Sequence, residues 1–92
     1  MEFEWAPAKA AANLRKHKVS FDEAVTVFAG FFSITAPDPD HSEEELRYIT
    51  VGRSNRDRLI MIAHADRHDR IRIISARKLT RNERSAYEEN SQ

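Results

Sequence analysis

Three strand-like runs, Leu46 to Arg53, Arg58 to Ala65 and Arg70 to Lys78, follow one another with four residues in each gap, and no other feature restricts the fold as tightly. The gaps, Ser54-Asn55-Arg56-Asp57 and Asp66-Arg67-His68-Asp69, are polar and of turn length. Connections this short join antiparallel neighbours, because a parallel pair needs a crossover of a dozen or more residues. In the middle run Leu59, Met61 and Ala63 alternate with Ile60, Ile62 and His64, so both faces are apolar and the strand belongs at the centre of the sheet. An earlier β-rich run, Phe31 to Ala36, is closed by Pro37-Asp38-Pro39-Asp40, which cannot continue a strand, and it completes a four-stranded meander.

The flanking segments read as helices. Glu2 to Trp5 alternates charged and aromatic residues, a short edge strand, after which Pro7 suits the first position of an alanine-rich helix ending near His17. On that helix Lys9, Asn13, Lys16 and His17 share one face. Ser20-Phe21-Asp22-Glu23 has the pattern of a capping box, with Ser20 accepting from the Glu23 N–H and Glu23 reaching back. The helix it starts carries an apolar stripe of Phe21, Ala24, Val25 and Phe28, and Gly30 stands where a left-handed terminal residue is expected. Thr80-Arg81-Asn82-Glu83 is a second box, opening a helix to about Glu89. The order β, α, α, four strands, α predicts an α+β layer fold, with residues 1–92 as a single domain.

Charge is distributed unevenly. The formal net charge is zero, but residues 1–46 hold four Lys and Arg against nine acids, a net −5, and residues 47–92 hold eleven against six, a net +5. Ten of those eleven cations are arginine, whose planar fork grips phosphate oxygens in pairs. Cysteine is absent, so no disulfide or thiolate metal site braces the chain, and no HExxH, CxxC or glycine-rich phosphate loop occurs. No metal or cofactor is therefore expected. No apolar run reaches the roughly 20 residues of a membrane span, and the N-terminus lacks signal-peptide order, so a cytoplasmic location is expected.

Cleavage of RNA by its own 2′-hydroxyl needs a base, cations on the phosphate oxygens and an acid for the leaving 5′-oxygen. Arginine suits the cation role, and histidine, lysine, tyrosine and glutamate the proton roles. In an unbulged strand Arg70 and Arg72 share the open face, whereas Arg77 falls on the side of Ile71 and Ile73; a bulge after Ile74 would reunite Arg77 with Arg72. His41 and His68 sit in turns and read as exposed filler, while His64 is either a hydrogen-bonded core residue or part of a cleft wall. His17 ends a helix whose dipole favours a cation there, yet it lies on the Lys9 face. Glu83 reads as a capping residue before it reads as a base. The acidic band Asp38 to Glu45 reads as a solubilising loop, with docking of a basic partner as its alternative.

The segments Phe3 to Lys9 (FEWxPxK), Asn13 to His17 (NxxKH), Val19 to Ala24 (VSFDEA) and Arg72 to Arg77 (RIISAR), followed by Glu83-Arg84 and Tyr87, resemble the BrnT family of type II toxin–antitoxin toxins. The resemblance spans nearly the whole chain. It implies a RelE-like fold, a curved antiparallel sheet with helices packed on one side, and endoribonucleolytic activity that stops translation. It further implies a cognate antitoxin with a ribbon-helix-helix DNA-binding part, so that DNA is met only through the antitoxin, and no membrane partner. By the resemblance, Arg72 and Arg77 are phosphate stabilisers and Tyr87, Lys9 and His17 proton-transfer candidates; the further cations Arg70, Lys16, Arg67 and Arg81 are expected to contact RNA. Family members usually carry Asp where this chain has Ala6, and loss of that cap costs of order 1 kcal/mol of helix stability. A non-catalytic module that uses the same arginines only to bind nucleic acid or protein is the alternative.

Overall fold

The computed structural model describes residues 2–38 and 46–90. Its elements are β1 (Glu2–Glu4), α1 (Pro7–His17), α2 (Phe21–Val27), β2 (Ile34–Pro37), β3 (Arg47–Arg53), β4 (Leu59–Arg67), β5 (Arg70–Lys78) and α3 (Arg81–Asn90). The α+β order matches the sequence expectation, and β4 lies at the centre of a sheet ordered β1-β5-β4-β3-β2. One count changes. The N-terminal strand joins the sheet by pairing in parallel with β5, Glu2 opposite Arg70 and Glu4 opposite Arg72, so the sheet is mixed and five-stranded rather than a four-stranded antiparallel one with a separate strand. The long stretch between β1 and β5 is what permits a parallel pair.

Local chemistry explains the element ends. Pro7 opens α1, Ala6 supplies no side-chain cap, and α1 stops at Lys18, which takes a left-handed φ of 61° and bonds its N–H to Leu14 O at 3.0 Å. Gly30 does not adopt the left-handed conformation expected of it. Instead α2 unwinds through bonds spanning three residues, from Phe28, Ala29 and Gly30 to Val25, Thr26 and Val27. Phe31 and Phe32 then form a turn, and for that reason β2 begins at Ile34 rather than Phe31. Gly52 lets α2 close on β3: a Cβ there would meet Val27 Cγ1 at 2.9 Å. The β4–β5 hairpin is tighter than expected, with only His68 and Asp69 between the strands and His68 at a φ of 59°. Asp38 is buried and donates its N–H to Arg47 O, whereas His41 and the rest of the acidic band to Glu45 lie outside the described residues.

The core lies on one face. Val19, Phe21, Ala24 and Val27 pack against Ile60, Ile62, Ile73 and Ala76, with Phe3, Trp5 and Phe28 at the margin. Where β1 ends, α1 takes over beside β5. The Asn13 amide donates to Ala76 O at 2.8 Å and Val19 O at 3.0 Å, and its oxygen accepts from Ala76 N at 3.1 Å. One buried side chain thus meets both hydrogen-bonding groups that a neighbouring strand would have met at Ala76. The third helix lies on the other face: Ala86 and Tyr87 of α3 line a groove with Ile34, Val51 and Met61, residues that alternation turns away from the core. The helices therefore occupy both sides of the sheet, and α3 buries none of its residues. No helix among the described residues is long and apolar enough to cross a membrane.

Candidate functional site

The pairing of β4 with β5 slips between Ala63 and His64: Ala63 stands opposite Ser75 and His64 opposite Ile73, so Ile74 is an extra residue in β5. A bulge of this kind shifts side-chain parity by one. Ile73 and Ala76 consequently both reach the core, and Arg77 returns to the open face that carries Arg70 and Arg72. The conditional bulge of the sequence reading is present, and it groups Arg77 with Arg72.

Register gives this face its layout. One row across the strands reads Arg47, Ala65, Arg72, Glu4; the next reads Ile49, Ala63, Ser75; the third reads Val51, Met61, Arg77. The first and third rows cross β4 at Ala65 and Met61, an offset of four positions and roughly 13 Å at strand rise. Small side chains floor the middle, and guanidinium groups stand at both ends. Arg67 lies opposite Arg70 beside the hairpin and extends the cationic end.

Each of the three β5 arginines has a carboxylate partner. Arg72 donates to Glu4 Oε2 at 3.0 Å, Arg70 lies 3.4 Å from Glu2 and 3.8 Å from Glu4, and Arg77 grips Glu83 in a two-pronged pair at 2.8 and 2.9 Å. The Arg77 guanidinium also rests on Met61 Sδ at 3.2 Å. Bonds from Arg77 and from the Thr80 backbone hold the Glu83 carboxyl down at about 2, and the same pair raises Arg77. Glu83 is thus a poor proton acceptor at neutral pH. It also completes the second capping box in both directions, accepting from Thr80 N at 2.9 Å and donating its own N–H to Thr80 Oγ1 at 3.2 Å.

The remaining candidates fall into two groups. Lys9, Lys16 and His17 share the helical face of Asn13, so they flank the β5 edge beside the Arg72–Arg77 stretch; the lysines are exposed and His17 is half-buried. Tyr87 is not with them. Its phenol donates to Phe32 O at 2.7 Å and ties α3 to the start of β2, across the sheet from Arg72. Arg81, exposed at the first turn of α3, lies beyond Arg77. Glu4 was missed in the sequence reading, because its place beside Arg72 depends on a parallel pairing that no local pattern signals.

Two polar clusters on the helix side are buried. His64 is 3% exposed, stacked on Tyr48 and edge-on to Phe28, with Nε2 2.7 Å from Thr50 Oγ1, which lies 2.7 Å from Thr35 Oγ1. Burial pushes its pKa down, Nδ1 has no partner, and the residue resolves as core rather than cleft. Glu23 caps less than expected: Ser20 accepts from its N–H at 3.0 Å, but its carboxylate turns away to Arg58 and Ser54. Arg58 holds that carboxyl below its usual range. Among the described residues no three His, Asp or Glu side chains gather as metal ligands.

Residues 5–83 match the family model described as ribonuclease toxin, BrnT, of type II toxin-antitoxin system. The fold is similar to the crystal structure of the Brucella abortus ribonuclease toxin BrnT, with a TM-score of 0.66 and 18% identity over 88% of this chain and 99% of that one. No curated protein sequence matches the chain.

Proposed function

The chain belongs to the BrnT family of ribonuclease toxins from type II toxin–antitoxin systems, and from that premise we propose that it cuts RNA on the open face of its sheet without a metal ion. The observation that carries this reading is the bulge at Ile74, which places Arg72 and Arg77 on the face that α1 and α2 leave uncovered. The 2′-hydroxyl attacks the adjacent phosphorus, the P–O5′ bond breaks, and the products are a 2′,3′-cyclic phosphate and a free 5′-hydroxyl. Arg72 and Arg77 stabilise the phosphate oxygens as negative charge concentrates on them, and exchange Glu4 and Glu83 for phosphate when RNA binds.

Lys9 and His17, on the flank of α1 beside β5, move the protons: one takes the proton of the 2′-hydroxyl and the other returns one to the 5′-oxygen. Arg70, Arg67, Lys16 and Arg81 lengthen the contact with the RNA backbone. Tyr87 anchors α3 in the free protein. The toxin acts in the cytoplasm, arrests translation, and is neutralised by a cognate antitoxin whose ribbon-helix-helix part carries DNA binding for the complex.

Purified protein incubated with RNA in EDTA tests the reading. The wild type should leave cyclic phosphate ends. Arg72→Ala and Arg77→Ala should each lower the rate by about 10²-fold, the scale for losing one electrostatic stabiliser, while still binding the antitoxin. Intact RNA after wild-type treatment overturns the catalytic reading, and RNA binding without cutting would favour the binding-module alternative.

A further inference from the structure

A second group of cations lies beyond the row of Val51, Met61 and Arg77, at the far end of β5. There a cleft of about 360 Å³ opens between α3 and the β3–β4 turn, floored by Leu59 and walled by Arg53, Arg58, Lys78 and Arg84. Two of these have carboxylate partners. Arg58 is bonded to Glu23 and to Lys18 O, and Arg53 donates to Asp57 Oδ1 at 3.2 Å. The other two are different: Lys78 and Arg84 are exposed, and neither forms an ion pair among the described residues. The cleft walls therefore hold four cations against the carboxylates of Asp57 and Glu88.

This cleft is better prepared for an anion than the open face. A phosphate arriving at Arg72 or Arg77 must displace a carboxylate, whereas one arriving at Lys78 and Arg84 displaces water. Lys78 directly follows Arg77, so a chain of phosphates lying along β5 reaches the cleft by turning past the end of the strand.

We propose that Lys78 and Arg84 form a second phosphate subsite, which holds the backbone of single-stranded RNA one or more nucleotides away from the reacting phosphate. The inference rests on the reading of the open face as the RNA-cleaving surface. Arg53 and Arg58 shape the subsite from behind, and the unpaired Lys78 and Arg84 supply its binding charge.

Fluorescence anisotropy with a labelled single-stranded oligoribonucleotide, 2′-O-methylated throughout so that it cannot be cut, provides the test across a salt series. Each phosphate contact contributes about 0.7 to the slope of log K against log salt for a single strand, so Lys78→Ala/Arg84→Ala should bind more weakly and lose about 1.4 from that slope. Its unfolding midpoint in urea should match the wild type, since neither side chain has a partner to lose. If Arg72→Ala weakens binding while the double variant keeps wild-type affinity and slope, the second subsite is overturned and the open-face reading stands. A wild type that binds no RNA at low salt overturns both. A double variant that keeps its RNA but loses the antitoxin marks the cleft as a protein-docking surface and also overturns the subsite.

Discussion

The two faces of the sheet handle the same ion-pair chemistry in opposite ways. On the helix side Glu23 is 4% exposed and receives Arg58 and Ser54 together, so its bonds join α2 to the β3–β4 turn and have little access to water. On the open side Arg72 and Glu4 are 29% and 25% exposed, and Arg77 and Glu83 are 39% and 31% exposed. A carboxylate buried among its donors cannot be exchanged without unfolding, whereas a surface pair is worth about 1 kcal/mol or less and yields to a competing anion. The sheet thus separates pairs that hold the fold from pairs that can release their arginines.

That contrast can be broken at several points. The largest effect is expected for Glu23→Ala, which strands a guanidinium and should cost roughly 3 kcal/mol in urea unfolding at neutral pH. A loss as small as that of an open-face pair would erase the distinction. Next comes Asn13→Ala, which leaves the Ala76 N–H and carbonyl unpaired and should cost about 2 kcal/mol in the same measurement.

Acid sharpens the contrast through His64. Its pKa is depressed in the folded state, so as pH falls below the ordinary value of 6.5 the unfolded chain takes up the proton first. Stability from this site is complete above that pH and declines below it until the folded pKa is reached. The urea midpoint should therefore drop between pH 7.5 and 5.5, and His64→Gln should flatten the drop. An unchanged slope in the variant would assign the acid sensitivity elsewhere. Glu4→Gln should have the smallest effect, under about 1 kcal/mol of stability, and should tighten binding of single-stranded RNA by freeing Arg72. Weaker RNA binding in this variant would mean that Glu4 orients the arginine rather than competing for it.

Local signals in the sequence carried most of the fold. Pro7 and His17 bound α1 as expected, the second capping box opens α3, and the apolar residues on both faces of β4 mark it as the central strand. What escaped depends on distant partners. Glu23 satisfies the capping pattern, but Arg58 takes its carboxylate from 35 residues away. The alternation of Glu2 and Glu4 marks a strand without saying that β5 is its neighbour. Tyr87 joins the arginines through the family resemblance, and a carbonyl at Phe32, 55 residues back, decides where its phenol goes. Ile74 lies between: alternation shows that a bulge there would change the site, but only the pairing with β4 decides whether it forms.

Asn13 has a further consequence, for how the molecule meets other copies of itself. An open sheet edge is a template on which a second chain can add a strand and start aggregation. By occupying both backbone groups of Ala76, the Asn13 amide blocks that template along the part of β5 that β1 does not reach. On the opposite side of the sheet the edge strand β2 is only four residues long and ends on Pro37, which has no N–H to offer. The sheet is thus protected from stacking on a second copy by the three-residue β1 and one side-chain amide along one edge, and by a short strand ending in proline at the other.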